Sequence, residues 1–501
     1  MTHFEMWSYL LEDSRRLATV EVLRIGVVYG FGRSWNPVPP LPDDITYTGS
    51  NPVNLIRSAL QGMTNLREVY WEDVAVAPRW GIEHLDECER AFWDAMPRIC
   101  RGVQVISLSL ISWYRSRECW YCASLSELHR LNEIRAFRGD SLRCTHERQG
   151  LGDSPSRAIQ SRLFAAFSRL ESLCLRRSQI LAFSNLQLPL LKDLTLINVG
   201  FEEPDGLLHL LRASPRLRSF HLEYRLGAWT IDPRPELTEI PSGSSVVPLL
   251  ESFTGCWEDA QFTFNPLPDG TFRKLSQVNI LRSDSNDLEE RVVDIVSKAL
   301  TDHKYLVGEN LRYLAITTIV TAQPPNSRPT QEQDLLWTTW LSRIAVGCPR
   351  LRGLAIKAQD GRIAPEDFRD ETDGWKSALS HLQELVALQL PHVIWQADVD
   401  DAGSKGAALR LAAEQCVEWL PKIRLLFTQR NLALVVSDVH EAGLIVLKKG
   451  KLLDQGQTMA RTWSLYEDVR EKELGHVVAE LIPLRMTAGT EAWLVEDDEW
   501  S

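Results

Sequence analysis

The sequence predicts an α/β solenoid, a coil of repeated strand-and-helix units, and three observations support this fold class. The pattern L-x-x-L-x-L returns in five clear and five weaker copies along the chain. Stretches with helical periodicity lie between these copies. The chain has 501 residues, whereas single hydrophobic cores stop growing near roughly 250 to 300 residues, so several domains or a repeat array is implied.

Each copy of the pattern is predicted to form a short strand with one buried face. The second and third apolar positions lie two residues apart, so they share one face of an extended strand, and the residues between them face the opposite side. The clear copies begin at Leu170, Leu191, Leu217, Leu311 and Leu351, and the weaker ones at Val20, Leu66, Val103, Leu275 and Leu385. Two less regular copies begin at Leu131 and Leu250.

The segments between the copies carry apolar residues at helical spacing, for example at Val53, Ile56, Leu60 and Met63. Strands that return parallel to one another through helices build a right-handed coil. The copies are unevenly spaced, with 21 residues between Leu170 and Leu191 and 40 between Leu311 and Leu351. We therefore expect an irregular leucine-rich-repeat solenoid, with parallel strands on its concave face and helices on its convex face. A HEAT-like all-helical array is the alternative.

The repeat pattern fades near Trp395, where a linker-like stretch with Asp, Gly, Ser and Lys follows. A helix near 409–420 and strand-like runs at 432–437 and 444–447 come after it. Solenoids need terminal caps to shield their last repeat. We therefore assign residues 1–394 to the solenoid and residues 395–501 to a C-terminal α/β capping segment.

Charge and cysteine content limit the partners and the compartment. The formal net charge is −12, from 55 Lys and Arg against 67 Asp and Glu, which disfavours nucleic acid and anionic membranes as partners. The sequence shows neither a secretory leader nor about 18 consecutive apolar residues. Nine scattered cysteines fit reduced thiols better than a disulfide framework. We expect a soluble protein of the cytoplasm or nucleus.

Two repeat junctions carry a family resemblance. Ser214-Pro-Arg-Leu-Arg-Ser-Phe and Cys348-Pro-Arg-Leu-Arg-Gly-Leu resemble the C-P-x-L-x-x-L junctions of F-box leucine-rich-repeat proteins. The uneven spacing and tryptophan-rich connections are similar to the divergent fungal branch of that family, over about residues 10–394. The resemblance implies a substrate receptor of a cullin ubiquitin ligase, which docks on the ligase adaptor through an N-terminal F-box.

The F-box itself is not found in the sequence. Leu41-Pro-Asp-Asp-Ile45 imitates its opening, but prolines crowd the upstream side and Thr46-Tyr-Thr-Gly-Ser-Asn breaks a helix downstream. A cullin-ligase adaptor is therefore an expected partner only if an F-box lies upstream of Met1.

No pattern in the sequence predicts catalysis, a cofactor or a metal. The nearest candidate for zinc combines Cys119, Cys122, Cys144 and His146, with His129 as a rival ligand. A C-x-H pair is not the usual second half of a zinc site, so reduced thiols are the favoured interpretation.

A calcium-loop-like run from Asp398 places Leu409 where a bidentate Glu is needed. Phosphate-loop, dinucleotide, nucleophile-elbow and zinc-protease motifs are not found. We expect a non-enzymatic protein.

A partner protein is predicted to bind the side chains that alternate with the buried leucines on the concave face. The predicted binding residues are Glu68, Tyr70, Glu72, Arg176, Asp193, His221, Glu223, Gln277, Asn279, Tyr313, Lys357 and Gln389. Ser172, Cys174, Thr195, Ser219 and Thr317 lie in the same columns. Tyr and Arg are residue types that anchor interfaces. The alternatives are a solenoid that regulates a small GTPase and a zinc-binding structural protein.

Overall fold

The computed structural model describes the repeat strands and much of what connects them. The described residues are 7, 9–12, 14–26, 52–72, 82–109, 127–131, 133–140, 163–164, 167–176, 179–180, 187–201, 205–224, 237, 240, 244–281, 292–302, 310–319, 331–359, 372–389, 419–423, 425–427, 433–435, 445–448 and 451–452. The chain forms two compact units, Met1–Arg218 with Tyr224–Pro235, and Ser219–Glu223 with Glu236–Ser501.

The first unit alternates short strands with helices. In chain order its elements are α1 Ser14–Ala18, β1 Val22–Gly26, α2 Pro52–Gly62, β2 Glu68–Glu72, α3 Ile82–Ile99, β3 Val105–Ser109, a 3₁₀ turn at Glu127–Arg130, β4 Ala136–Asp140, β5 Ser172–Arg176, β6 Gln179–Ile180, β7 Asp193–Ile197, β8 Gly200–Phe201 and α4 Gly206–Arg212. Strands β1 to β5 and β7 pair in order, and every pair is parallel. Strands β6 and β8 form a separate parallel pair.

The second unit continues the same alternation. Its elements are β9 Ser219–Glu223, β10 Ser252–Gly255, α5 Trp257–Ala260, a 3₁₀ turn at Gln261–Phe264, β11 Gln277–Ile280, α6 Val292–Asp302, β12 Tyr313–Ile319, α7 Gln331–Gly347, β13 Gly353–Gln359, α8 Thr372–Leu379, β14 Ala387–Gln389, β15 Leu425–Phe427, β16 Ala433–Val435, β17 Ile445–Lys448 and β18 Lys451–Leu452. Strands β9 to β15 pair in parallel, and β15 to β18 pair antiparallel.

The three apolar positions of the repeat form the core, as the pattern predicts. Leu170, Leu173 and Leu175 are at most 1% exposed, and the register aligns Leu173 with Leu194 on the next strand. The helices add their apolar faces, for instance Ile56 and Leu60 of α2, which are equally buried. The predicted leucine-rich-repeat solenoid, with parallel strands and intervening helices, is confirmed as the fold class.

The structure corrects one of the two less regular copies and confirms the other. Phe253 aligns with Phe220 in the β9–β10 register, so the copy that begins at Leu250 is a true repeat. On β4, however, Phe137 aligns with Leu173, which makes Ile134 rather than Leu131 the first position. The predicted copy at Leu131 was therefore three residues out of register.

Among the described residues beyond 394, one strand, β15, is parallel to its neighbour. In β15, Leu426 aligns with Leu388 of β14, and Ile423 is 4% exposed at the first repeat position. The antiparallel strands β16 and β17 fall within the strand-like runs expected at 432–437 and 444–447, although β17 extends one residue further. The division of the chain at residues 394 and 395 stays a prediction.

Backbone hydrogen bonds tie each repeat to the next at the start of the strands. The carbonyl of Glu21 accepts from the N–H groups of Arg67 and Glu68 at 2.8 and 3.0 Å. The carbonyl of Arg312 accepts in the same way from Arg352 and Gly353 at 2.7 and 3.0 Å. Within each unit, the residues at the position of Glu21 or of Arg312 therefore form a row along the start of the strands, one residue per strand.

In β10, the large residue Phe253 holds the second repeat position and glycine, Gly255, holds the third. A Cβ atom on Gly255 would lie 2.7 Å from the Phe253 ring and 3.2 Å from the Leu222 carbonyl oxygen, and Phe253 is fully buried. We expect Gly255→Ala to lower the free energy of unfolding by about 1–3 kcal/mol, because overpacking forces neighbours to shift. Urea denaturation followed by circular dichroism measures this change.

The same measurement in a Phe253→Leu background tests the cause. Leucine lacks the ring atoms that the new methyl would meet, so the cost of Gly255→Ala should fall there by about 0.5 kcal/mol or more. Gly102→Ala is the matched control, because its Cβ would meet nothing closer than 3.5 Å. An unchanged cost in the leucine background would contradict the proposed contact.

Candidate interaction face

The side of the sheet that faces away from the leucine core is called the polar face. In the first unit the register places one row of six residues across it, one residue per strand: Arg24, Tyr70, Ser107, Arg138, Cys174 and Thr195. All six are exposed or half-buried. Because neighbouring strands lie about 4.8 Å apart, the row forms a continuous polar stripe.

Three side chains at the start of this stripe form a fixed cluster. The Arg24 guanidinium lies 4.8 Å from the centre of the Tyr70 ring, a cation–π distance. The Tyr70 hydroxyl donates a hydrogen bond of 2.9 Å to Glu68 Oε2. Burial raises the pKa of the Tyr70 phenol, and the Glu68 carboxylate raises it further. Tyr70 therefore remains a protonated donor at neutral pH, held in one orientation by residues of two strands.

At the other end of the stripe, a thiol of the stripe has a cation and a carboxylate of neighbouring rows on the same face. Cys174 is half-buried and forms no disulfide bond, and Arg176 on the same strand is half-buried. Asp193, at the start of β7, is exposed. Together with the tyrosine cluster, these residues give the first unit a polar face of mixed charge.

The structure places the predicted binding residues in three different environments. Glu68, Tyr70, Arg176 and Asp193 lie on the accessible polar face of the first unit. In the second unit, Glu223 and Tyr313 are half-buried, whereas His221, Gln277 and Asn279 are only 2–4% exposed. Glu72, Lys357 and Gln389 lie on described strands, but their side chains are outside the described part of the structure.

The burial in the second unit corrects the expectation that every alternating residue faces solvent. The register aligns His221, Thr254, Asn279, Ala315 and Ala355 in one row, and all are between 1 and 8% exposed. His221 Nε2 lies 3.3 Å from Glu223 Oε2 within this region. A strand pattern identifies the residues that avoid the leucine core, but it does not specify what covers the opposite face.

The sequence-based prediction missed three members of the polar stripe. Arg24 and Ser107 alternate with buried residues of repeats that the prediction assigned correctly, so the same rule identifies them. Arg138 was hidden by the register error at Leu131, because an odd shift exchanges the two faces of a strand. With Ile134 as the first position, Ala136, Arg138 and Asp140 become the outward residues of β4.

The two junctions that carry the family resemblance have structural roles. The Ser214 hydroxyl is buried and donates to the Leu210 carbonyl at 2.8 Å, one helical turn earlier. Cys348 is fully buried after α7, and burial raises the pKa of its thiol to about 12. Both residues are buried where the helix turns into the strand, so the junctions indicate the repeat fold.

Metal-binding clusters and membrane-spanning helices are both lacking among the described residues. No group of three His, Cys, Asp or Glu side chains there could hold a metal ion. Of the zinc candidates, His129 is exposed in the 3₁₀ turn, while Cys119, Cys122, Cys144 and His146 lie outside the described residues, as do 41–45 and 398–403. Within the same limits, no helix is both long and apolar enough to cross a membrane.

Solved structures that are similar to this chain include LegL7 and an internalin. The leucine-rich-repeat protein LegL7 from Legionella pneumophila shares 15% identity at a TM-score of 0.33, over 67% of this chain and 95% of that one. An internalin, InlF, from Listeria monocytogenes shares 10% identity at a TM-score of 0.30, over 86% of this chain and 88% of that one. No protein-family model and no curated protein sequence matches the chain.

Proposed function

We propose that this protein is a non-enzymatic interaction module that binds a partner protein on the polar face of its first unit. The observation that carries the proposal is the stripe of Arg24, Tyr70, Ser107, Arg138, Cys174 and Thr195, aligned by the strand register. Most of the residues first predicted to bind in the second unit are buried or outside the described side chains, so the proposal rests on the first unit.

The composition of the stripe suits a protein surface. Tyr70 offers a ring and a hydroxyl whose position Arg24 and Glu68 already fix, so little side-chain entropy is lost when a partner binds. Tyrosine and arginine are also the residues that most often dominate binding energy. Glu68 and Asp193 add negative charge to the same face, which disfavours a continuous polyanion such as nucleic acid.

Charge reversal on the stripe tests this proposal. We expect the double variant Arg24→Glu and Arg138→Glu to reduce recovery of the partner at least tenfold in affinity purification with quantitative mass spectrometry, because reversed charges oppose a complementary surface. Arg57→Glu, an exposed position on α2, is the matched control. Circular dichroism establishes that each variant is folded. Equal recovery of the same proteins by the wild type and the double variant would exclude this face.

A narrower proposal concerns the role of the captured protein. The resemblance to F-box leucine-rich-repeat proteins implies that the partner is a substrate for ubiquitination, delivered through a cullin-ligase adaptor. Co-purification of such an adaptor with the protein expressed from its own gene in its own cells, together with ubiquitination of the captured partner, would support this role. Capture of the partner without the adaptor would leave the interaction module standing and reject the ligase role.

A further inference from the structure

We propose that the polar face of the second unit binds an extended polypeptide segment of a partner through the backbone amide groups of that segment. Three residues carry the proposal, Ser252 and Thr254 on β10 and Asn279 on β11, and together they are called the unbonded cluster. The stripe of the proposed function belongs to the first unit, so each proposal can fail while the other stands.

The strand register brings the three side chains of the unbonded cluster together. Thr254 aligns with Asn279, so these two residues lie on adjacent strands about 4.8 Å apart. Ser252 precedes Thr254 by two residues, and residues two apart on a strand face the same side, about 6.6 Å from one another. All three therefore occupy one small patch of the polar face.

The polar atoms of this cluster are buried without hydrogen bonds. Thr254 is 1% exposed and Asn279 is 2% exposed. Among the described residues, Thr254 Oγ1, Asn279 Oδ1 and the buried Oγ of Ser252 find no hydrogen-bond partner. In folded proteins roughly 90% of buried polar groups are bonded, and each group that is not bonded is destabilising. Three such atoms at neighbouring positions indicate a site that another molecule completes.

Two threonines on helical segments of the same unit show the usual arrangement. Thr263 Oγ1 donates to the Ala260 carbonyl at 2.6 Å, and Thr301 Oγ1 donates to the Ser297 carbonyl at 2.8 Å. In both cases the acceptor lies one turn earlier. The carbonyls of a strand point toward the neighbouring strands, in the plane of the sheet. A hydroxyl that stands out from the sheet therefore has no such local acceptor.

The surroundings of the cluster favour an uncharged ligand. His221 aligns with Thr254, and its Nε2 lies 3.3 Å from Glu223 Oε2, so a carboxylate stands close to the cluster. Hydroxyl and amide side chains can both donate and accept hydrogen bonds, which suits the N–H and C=O groups of a peptide backbone. The two rows that cross the cluster contain neither lysine nor arginine: Ser219, Ser252, Gln277, Tyr313 and Gly353, and His221, Thr254, Asn279, Ala315 and Ala355.

The row through Thr254 also has the length and the small side chains that an extended backbone needs. Asn279 aligns with Ala315, and Ala315 with Ala355, so the row passes from polar groups to methyl groups over which a backbone can lie closely. From β9 to β13 the row crosses four strand spacings, about 19 Å, which is the length of about six extended residues.

Binding requires that the present cover of this row be displaced. The five residues from His221 to Ala355 are only 1–8% exposed within the chain itself. This cover leaves the cluster without hydrogen bonds to the described residues, so a segment that both covers and bonds the cluster is favoured over it. Displacing the cover lowers the apparent affinity, and the measurement therefore needs a high peptide concentration.

Methyl NMR of the 501-residue chain, labelled at its threonine methyl groups, tests the cluster with a Gly-Ser decapeptide as the probe. The Thr254 signal, assigned by its loss in Thr254→Val, should shift in a saturable way as peptide is added, and the Thr263 signal should not move. The same peptide with every backbone nitrogen methylated lacks N–H donors, so it should bind roughly tenfold more weakly.

Asn279→Leu removes the amide and keeps a similar size. We expect it to weaken peptide binding roughly tenfold and to leave the midpoint of urea denaturation unchanged or higher, because no hydrogen bond is lost on folding. Thr263→Val is the matched control, because its hydroxyl is bonded to Ala260. That variant should lower the midpoint and bind the peptide like the wild type.

Four results would overturn the proposal. The first is an unmoved Thr254 signal at saturating peptide, and the second is equal binding of the methylated peptide. The third is a midpoint that falls in Asn279→Leu as far as in Thr263→Val, or loss of folding in that variant, since the cluster would then serve stability. The fourth is equal or tighter binding of maltohexaose, since the cluster would then recognise sugar hydroxyls and not a peptide backbone.

Discussion

Replacing Arg273 with methionine is expected to lower the free energy of unfolding of the second unit by about 3–5 kcal/mol, the cost of breaking a buried charged contact. Arg273 is only 2% exposed, although it is a charged residue. Its guanidinium donates to the carbonyls of Val246 at 2.8 Å, Phe262 at 2.9 Å and Asn265 at 3.0 Å, and its Nε donates to Val247 at 3.3 Å. One side chain thus joins two separate turns.

The effect is large because these buried carbonyls accept their hydrogen bonds from the guanidinium. Burial lowers the pKa of Arg273 to about 10, so the group is still protonated at neutral pH and its charge strengthens each hydrogen bond. Methionine can fill part of the volume but donates nothing. Each carbonyl that is left buried without a donor costs about 1–3 kcal/mol.

Urea denaturation of Arg273→Met, followed by circular dichroism, measures the loss. Arg273→Lys should recover only part of it, because a single ammonium group cannot span both turns. The adjacent exposed residue provides the control, and Lys274→Met should change stability by no more than about 0.5 kcal/mol. Wild-type stability of the methionine variant would show that the two turns hold their positions without the arginine.

The leucine core could be predicted because its signal is local and repeated. Leu170, Leu173 and Leu175 define a face of the strand whatever surrounds them. The repeat on β4 could not be placed in the same way, since its third position is Gly139 and its second is Phe137. Glycine gives no apolar signal, and Leu131, which lies three residues before the true first position at Ile134, was mistaken for the start of the repeat. Complementary sizes at the two positions become visible only when the strands are aligned.

The polar face was predictable in position but not in exposure. The alternation rule locates Tyr70 and Asn279 equally well, yet Tyr70 is half-buried and Asn279 is 2% exposed. Exposure depends on contacts distant in sequence, which a strand pattern does not record. The proximity of Arg312 and Arg352 was likewise invisible to the pattern, because the two residues are 40 positions apart in the sequence and become neighbours only through the parallel register.

Trp93→Ala is expected to lower the free energy of unfolding of the first unit by about 3–5 kcal/mol, the usual range for removing a buried aromatic side chain. Trp93 on α3 is fully buried. Its ring centre lies 5.7 Å from that of Trp71 on β2 and 5.0 Å from that of Phe92, which it meets edge-on. Trp71 occupies the third repeat position of β2, so the cluster fastens helix α3 to the sheet. Circular dichroism during urea denaturation measures the loss.

Trp93→Phe separates the packing of this residue from its polar group. Among the described residues, no acceptor lies within hydrogen-bond reach of the buried Trp93 Nε1, and a buried donor without a partner is itself destabilising. Phenylalanine keeps an aromatic ring against Phe92 and removes that donor, so we expect a loss of less than about 1.5 kcal/mol, close to that of a conservative core substitution. A loss as large as that of Trp93→Ala would mean that the full indole outline, and not aromatic contact in general, holds helix α3 against strand β2.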